Sequence, residues 1–141
     1  ITVISASVSA SSMLSQNKQI DVVQLGGMVS ESSVSVVGSF AEDMLKYFNC
    51  SLLFMGADGV DLEFGVTTTN MMEANLNRMM MNTSQQTVLL VDSTKFGKKG
   101  FSKICDIGDI DRIITDDGIP QMYLESLQDR GIEVTVVPAN G

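Results

Sequence analysis

Histidine and tryptophan are both missing from the 141 residues. Without histidine the chain has lost the usual general base, the commonest metal ligand and every Ser-His or Cys-His triad. Basic residues are scarce as well, 9 Lys and Arg against 17 Asp and Glu, for a net charge of −8. Nucleic acid is a polyanion held mainly by Lys and Arg, so this chain by itself is not expected to bind DNA. Cysteine is limited to Cys50 and Cys105, with no C-x-x-C, which argues against structural zinc and a disulfide framework. The pair reads as two buried small hydrophobes, and two free thiols are what a reducing cytosol permits. With only two prolines, and no apolar run near the roughly 18–20 residues that cross a bilayer, collagen-like arrays and membrane spans are excluded. What is there is globular: 44 % hydrophobic and 18 % charged residues, in a length that suits one domain. No metal or cofactor site is indicated. Residue 1 is Ile and opens straight into an apolar run, so the chain reads as a piece cut from something longer.

Six short runs rich in Val and Ile recur along the chain: Ile1 to Ile4, Ile20 to Leu25, Cys50 to Met55, Thr87 to Val91, Arg112 to Thr115 and Glu133 to Val137. Continuous apolarity over so few residues fits strands of a parallel sheet covered on both faces. Helix signals lie between them. Ser39 with Glu42, and Asn70 with Glu73, have the spacing of a capping box. Pro120 suits the first turn of a helix reaching about Arg130, with Gly131 as its stop. Strand and helix in repetition predict an α/β fold with a Rossmann-like, three-layer, mostly parallel sheet. Between Gly26 and Gly38 the chain is too short and too β-branched for a crossover helix, which predicts a hairpin-like excursion.

Glycines and small polar residues cluster where three of these strands end, the place at which an open α/β sheet holds its ligand. Gly26 and Gly27 follow the second strand. Gly56-Ala57-Asp58-Gly59-Val60-Asp61 follows the third, with Gly65-Val66-Thr67-Thr68-Thr69-Asn70 leading into a helix. Asp92-Ser93-Thr94-Lys95-Phe96-Gly97 follows the fourth. Such segments favour an anion: glycine allows close backbone approach, hydroxyls donate, and a helix start carries about half a positive charge. Lys95 supplies the one full positive charge read at that edge. A glycine turn after a strand is usually only a turn; three at one sheet edge carry more weight.

Among the acids, Asp61 and Glu63 read as solvent-facing, while Asp58 and Asp92 are the better candidates for contacting ligand hydroxyls. Asp116-Asp117-Gly118 reads as a turn, with one Asp capping the last helix. Five of the ten methionines, Met71, Met72, Met79, Met80 and Met81, fall on one helix, as a soft core face or as a face that also meets a partner subunit.

Taken in order, Leu25-Gly26-Gly27, Phe54-Met55-Gly56-Ala57-Asp58-Gly59-Val60-Asp61, Gly65-Val66-Thr67-Thr68, Asp92-Ser93-Thr94-Lys95-Phe96-Gly97 and Ile113-Ile114-Thr115-Asp116 resemble the C-terminal sensor domain of DeoR-type bacterial transcriptional regulators. The resemblance covers essentially the whole chain. It implies a fold like that of ribose-5-phosphate isomerase, glucosamine-6-phosphate deaminase and the CoA transferases. It also implies a single effector-binding domain over residues 1–141, taking a phosphorylated sugar or related metabolite and meeting operator DNA only through a winged helix-turn-helix upstream. The family's first sensor strand, with its Asp-Ser-Gly-Thr-Thr-like phosphate loop, is not found here. Its next loop, usually Thr-Asn-Ser, reads Ser5-Ala6-Ser7, and a Lys usually beside Arg78 is replaced by Asn77. On this reading Ser5, Ser7, Gly26, Gly27 and Gly59 line the ligand. Thr67, Thr68, Asn70 and Lys95 hold its anionic end, and Asp58 and Asp92 its hydroxyls. Homo-oligomers are implied, with neither a cofactor nor a membrane partner.

The isomerase likeness raises catalysis as an alternative. The isomerase's Asp-Gly-Ala-Asp-Glu-Val-Asp is similar to residues 55–61, but Met55 and Gly59 stand where two of its acids do. Aldose–ketose isomerisation needs a carboxylate to carry a proton between adjacent carbons. Binding groups without that machinery predict a sensor, not an enzyme. A module for oligomerisation alone is the third alternative.

Overall fold

The computed structural model describes residues 1–139, which form two compact units, 1–48 and 49 onward. In the first, β1 (Thr2–Ser5) lies parallel to β2 (Asp21–Gln24), with Val3 opposite Val22 and Ser5 opposite Gln24. They are joined through α1 (Val8–Leu14), capped by the Ser7 hydroxyl, which accepts from the Ala10 amide at 3.2 Å. The segment after Gly27 is the expected hairpin, β3 (Met28–Ser30) antiparallel to β4 (Ser35–Val37). The next helix, α2 (Ser39–Leu45), is not started by the box expected at Ser39. Its N-cap is Gly38, at φ +99°, and no side chain caps it. Glycine reaches that backbone geometry without steric cost, and the Gly38 carbonyl takes the first helical bond, from Glu42 at 3.1 Å. Leu25, Val36, Val37, Ala41 and Leu45 are the buried apolar residues of this unit.

The second unit runs through β5 (Cys50–Met55), β6 (Gly59–Asp61), β7 (Gly65–Thr68), α3 (Met71–Thr83), β8 (Ser84–Leu90), β9 (Ser102–Cys105), β10 (Arg112–Asp116), α4 (Gln121–Asp129) and β11 (Glu133–Val137). Four of these strands form a parallel sheet in the order β5-β8-β10-β11. This is the α/β, Rossmann-like architecture expected from the sequence. Each crossover moves one strand in the same direction, and right-handed crossovers then place α3 and α4 on one face. On that face Met55, Leu89 and Ile113 meet Ala74 of α3 and Tyr123 and Leu127 of α4 in a single core. Burying each large apolar side chain there contributes about 1.5–3 kcal/mol. On the other face Leu52, Phe54 and Leu90 remain exposed, Phe54 by 58 %. The apolar runs are therefore sorted by the pleat, Leu53 and Met55 inward, Leu52 and Phe54 outward.

The remaining strands form a small antiparallel sheet, β6-β7-β9, of which β6 and β7 lie in segments that read as loops and β9 in one without a strand signal. Strands of three or four residues, opened by glycine in β6 and β7, are too short for a period-2 pattern to register. Helix α3 starts where expected, the Asn70 side chain accepting from the amides of Met72 and Glu73 at 2.8 and 3.1 Å. Its core residues are Ala74 and Leu76, whereas Met71 and Met72 are exposed and Met81 packs on the edge of the core. The core-face expectation therefore holds only for the inner end of the run, at Met81. Cys50 is half-buried, Cys105 is buried, and both are free thiols. No helix among the described residues is long and apolar enough to cross a membrane.

Candidate ligand-binding site

In the second unit the carboxyl ends of β5, β8 and β10 each deliver an aspartate, and the start of α3 opens beside the first. Asp58, after β5, is fastened by its amide to the Thr67 carbonyl at 2.9 Å. Its carboxylate accepts from the Thr68 hydroxyl at 2.9 Å, and from the Thr69 amide at 3.2 Å and hydroxyl at 3.5 Å. This joins Asp58 to the three residues that lead into Asn70 and α3. Asp58, Thr68 and Asn70, expected together from the sequence, are together here, although the Asn70 carbonyl oxygen is occupied in capping the helix.

Thr67 has a different task. It is fully buried; its hydroxyl donates to the Gly59 carbonyl at 3.4 Å and accepts from the Gly100 amide at 2.7 Å. It ties β6 and the loop before β9 to β7. Gly59 lies under the same loop: a Cβ there would stand 2.4 Å from the Lys98 carbonyl oxygen and 2.6 Å from the Thr67 hydroxyl, so only glycine fits.

Asp92, after β8, caps the short 3-10 turn Ser93–Lys95 through the Thr94 amide at 2.9 Å and the Thr94 hydroxyl. The Thr94 hydroxyl, then its amide, hold the Asp92 carboxyl below the usual carboxylate range, with Lys95 helping. The third acid, Asp116, ends β10. It does not cap α4, whose N-cap is Pro120 without a side-chain bond. Its carboxylate instead reaches sideways to accept from the Ser93 amide at 2.7 Å and the Gly118 amide at 2.9 Å. The Ser93 hydroxyl and amide, with the Gly118 amide, hold it too below the ordinary range. The turn at Asp116-Asp117-Gly118 is as expected; the capping role is corrected, because the carboxylate has nearer amides in the loop after β8.

The three acids are thus anchors for loops, and the hydroxyls and amides around them form a polar rim. Sequence reasoning missed Thr69, Ser93, Gly100 and Asp116. The strand-end rule that selected Asp92 would equally have selected Asp116. Ser5, Ser7, Gly26 and Gly27 lie in the first unit. The Ser5 hydroxyl accepts from the Ser7 amide at 3.0 Å, Ser7 caps α1, and Gly26 and Gly27 follow β2, Gly27 at φ +142°. Among the described residues no group of three or more His, Cys, Asp or Glu is placed to hold a metal ion.

A cleft of about 560 Å³ lies elsewhere in the second unit, lined by Arg78, Asn82, Lys103, Cys105, Asp106 and Asp109 among others. Its charges are mostly committed: Arg78 donates to the Lys103 carbonyl at 2.5 Å and to Asn75 at 3.2 Å, and Lys103 pairs with Asp106 at 2.5 Å.

Compared with known families, residues 1–117 match the DeoR C terminal sensor domain. The chain belongs to this family. Among relatives that cover nearly all of this sensor domain, the "Uncharacterized HTH-type transcriptional regulator YulB" of Bacillus subtilis strain 168 is 36 % identical over 138 residues, 98 % of this chain and 54 % of that protein. The "HTH-type transcriptional regulator GolR" of Listeria innocua is 30 % identical over 136 residues, 96 % of this chain and 54 % of that protein. The "HTH-type transcriptional repressor GlcR" of Bacillus subtilis is 27 % identical over 135 residues, 96 % and 52 % respectively. The sensor domain therefore spans about half the length of the curated relatives it matches.

Proposed function

We propose that this DeoR-type domain senses a phosphorylated sugar or related anionic metabolite, released chemically unchanged, for a transcriptional repressor of sugar metabolism. DNA binding belongs to a helix-turn-helix elsewhere in the polypeptide, as the names of the relatives suggest for those proteins. The observation that carries this reading is the rim of the second unit. There a helix start, the hydroxyls of Thr68, Thr69 and Thr94, and Lys95 gather around strand-end aspartates already fixed by internal hydrogen bonds. Asp58 and Asp92, held ready as acceptors, suit ligand hydroxyls; the Lys95 ammonium and the start of α3 suit an anion. Gly59, buried under the Lys98 carbonyl, stands where the isomerase motif has a second acid for proton transfer, and Asp58 already accepts three hydrogen bonds, which favours binding over isomerisation.

Sensing then works by linkage: the ligand changes DNA affinity only to the extent that it binds one arrangement of the full-length protein more tightly than the other. Association of copies belongs to the same reading, with Met71 and Met72 exposed on α3. The test is operator binding by the full-length protein, titrated with ribose 5-phosphate, glucosamine 6-phosphate and similar compounds. A phosphosugar that shifts operator affinity without being consumed supports the reading. Turnover of either compound, or no shift across the panel, overturns it.

A further inference from the structure

At its carboxyl end β8 leaves the sheet, yet β10 goes on holding the chain after the main-chain ladder has stopped. The last backbone bond between them runs from the Val91 amide to the Ile114 carbonyl at 3.2 Å. Parallel pairing advances by two residues on each strand, so the next donor, Ser93, would meet the Asp116 carbonyl. That carbonyl has turned away and accepts from the Ile119 amide at 3.3 Å. The Asp116 carboxylate takes its place. One oxygen accepts from the Ser93 amide at 2.7 Å and the other from the Gly118 amide at 2.9 Å, and the Ser93 hydroxyl bonds to the same carboxylate.

What this side chain fixes is the turn that carries Lys95. Ser93 opens the 3-10 turn Ser93–Lys95. The Lys95 amide donates to the Asp92 carbonyl at 3.2 Å and the Phe96 amide to the Ser93 carbonyl at 3.4 Å. A turn of three residues closed in this way cannot shift Ser93 without shifting Lys95. The Lys95 charge in turn acts on the Asp92 carboxylate.

The sign of the charge makes an acid at this place unexpected. A carboxylate next to a site for an anion opposes the ligand. Hydrogen bonds to an ionised acceptor are roughly twice as strong as neutral ones, which is a reason to keep an acid where a loop must be held still.

We propose that Asp116 is a positioning residue for ligand binding: its carboxylate replaces the main-chain acceptor that β10 withdraws, and so fixes the Ser93–Lys95 turn with Lys95 at the rim. The proposal rests on the sensing function above and adds the residue that sets its cation in place.

The test is calorimetric titration of the full-length protein with ribose 5-phosphate and glucosamine 6-phosphate, the tighter of the two being used for the variants. Charge and position predict opposite signs. If charge alone counted, removing a carboxylate beside an anion would tighten binding. Asp116→Asn and Asp116→Ala should instead weaken it about tenfold. Asp117→Asn, which removes an exposed charge one residue on, should leave affinity within about twofold of wild type or tighter. Circular dichroism checks that each variant is folded, and the milder Asn variant carries the test if the Ala variant is not. A second readout is the same change made in a Lys95→Met background, where Asp116→Asn should weaken binding by no more than about twofold further. Unchanged or tighter binding in Asp116→Asn overturns the proposal and leaves the sensing function standing. An equal loss in Asp117→Asn, or full additivity of the Asp116 and Lys95 losses, also overturns it, because Asp116 would then not act through Lys95. A wild type that binds neither compound overturns both.

Discussion

Thr67 carries two hydrogen bonds on one hydroxyl, and the loop before β9 depends on the one from Gly100. Replacing it with valine keeps the shape and leaves the Gly100 amide without its partner, which costs about 1–3 kcal/mol. Thr67→Val should therefore lower the urea midpoint; an unchanged midpoint would show that the latch does not bear load. Thr115 is the opposite case. It is buried on β10 and its hydroxyl has no hydrogen-bond partner among the described residues, so Thr115→Val removes a desolvated group and should raise stability on the order of 1 kcal/mol. A lower midpoint in that variant would mean that the hydroxyl is satisfied in solution. Neither role is legible in the sequence. Thr67 stands in a Gly-Val-Thr-Thr-Thr run that suggests ligand donors, and only the return of residue 100 onto β7 shows that the first of those hydroxyls is used internally.

At the scale of elements, local chemistry was legible where one residue decides the outcome. Asn70 has the side chain, and the backbone at φ −112° and ψ +121°, that starts a helix. Ser39 has the same spacing to an acid but loses the position to Gly38, whose positive φ follows from how β4 delivers the chain. The two helix starts therefore separate in experiment. Asn70→Ala is expected to cost about 1 kcal/mol, and Ser39→Ala to stay within about 0.5 kcal/mol of wild type, both read from thermal unfolding. Equal losses would contradict the capping geometry. The parallel strands were legible from their Val and Ile content, and β5 and β11 match the expected limits to the residue. The strands β6, β7 and β9 were not, because their pairing is set by contacts between residues far apart in sequence, such as Val66 opposite Cys105. The candidate site follows the same division. Asp58 and Asp92 could be chosen as acids at strand ends, whereas Asp116 needed its distance to Ser93, and the burial of Gly59 needed the Lys98 carbonyl that closes over it.

Over the whole molecule, an excess of acids suggests that acid should stabilise the fold by relieving repulsion, and the hydrogen bonds oppose this. Asp92 and Asp116 both have carboxyls held below the ordinary value of 3.8 by bonds from Thr94 and from Ser93. The unfolded chain therefore takes up these protons first. The stability they contribute is present above pH 3.8 and lost as pH falls through their folded values. Alkali acts on Cys105, whose thiol is pushed up from 9.0 to about 12 by burial and by the neighbouring Asp109 and Asp106. A raised thiol stabilises the fold below pH 9.0, and that contribution drains away as pH rises toward 12, because the unfolded chain gains the thiolate first. Melting temperature against pH should then fall on both sides of a plateau. Asp116→Asn should flatten the acid limb and Cys105→Ala the alkaline limb, each leaving the other in place. If Cys105→Ala left the alkaline limb as steep as before, the tyrosines and lysines would have to carry it, and the thiol beside Asp109 would have no part in stability.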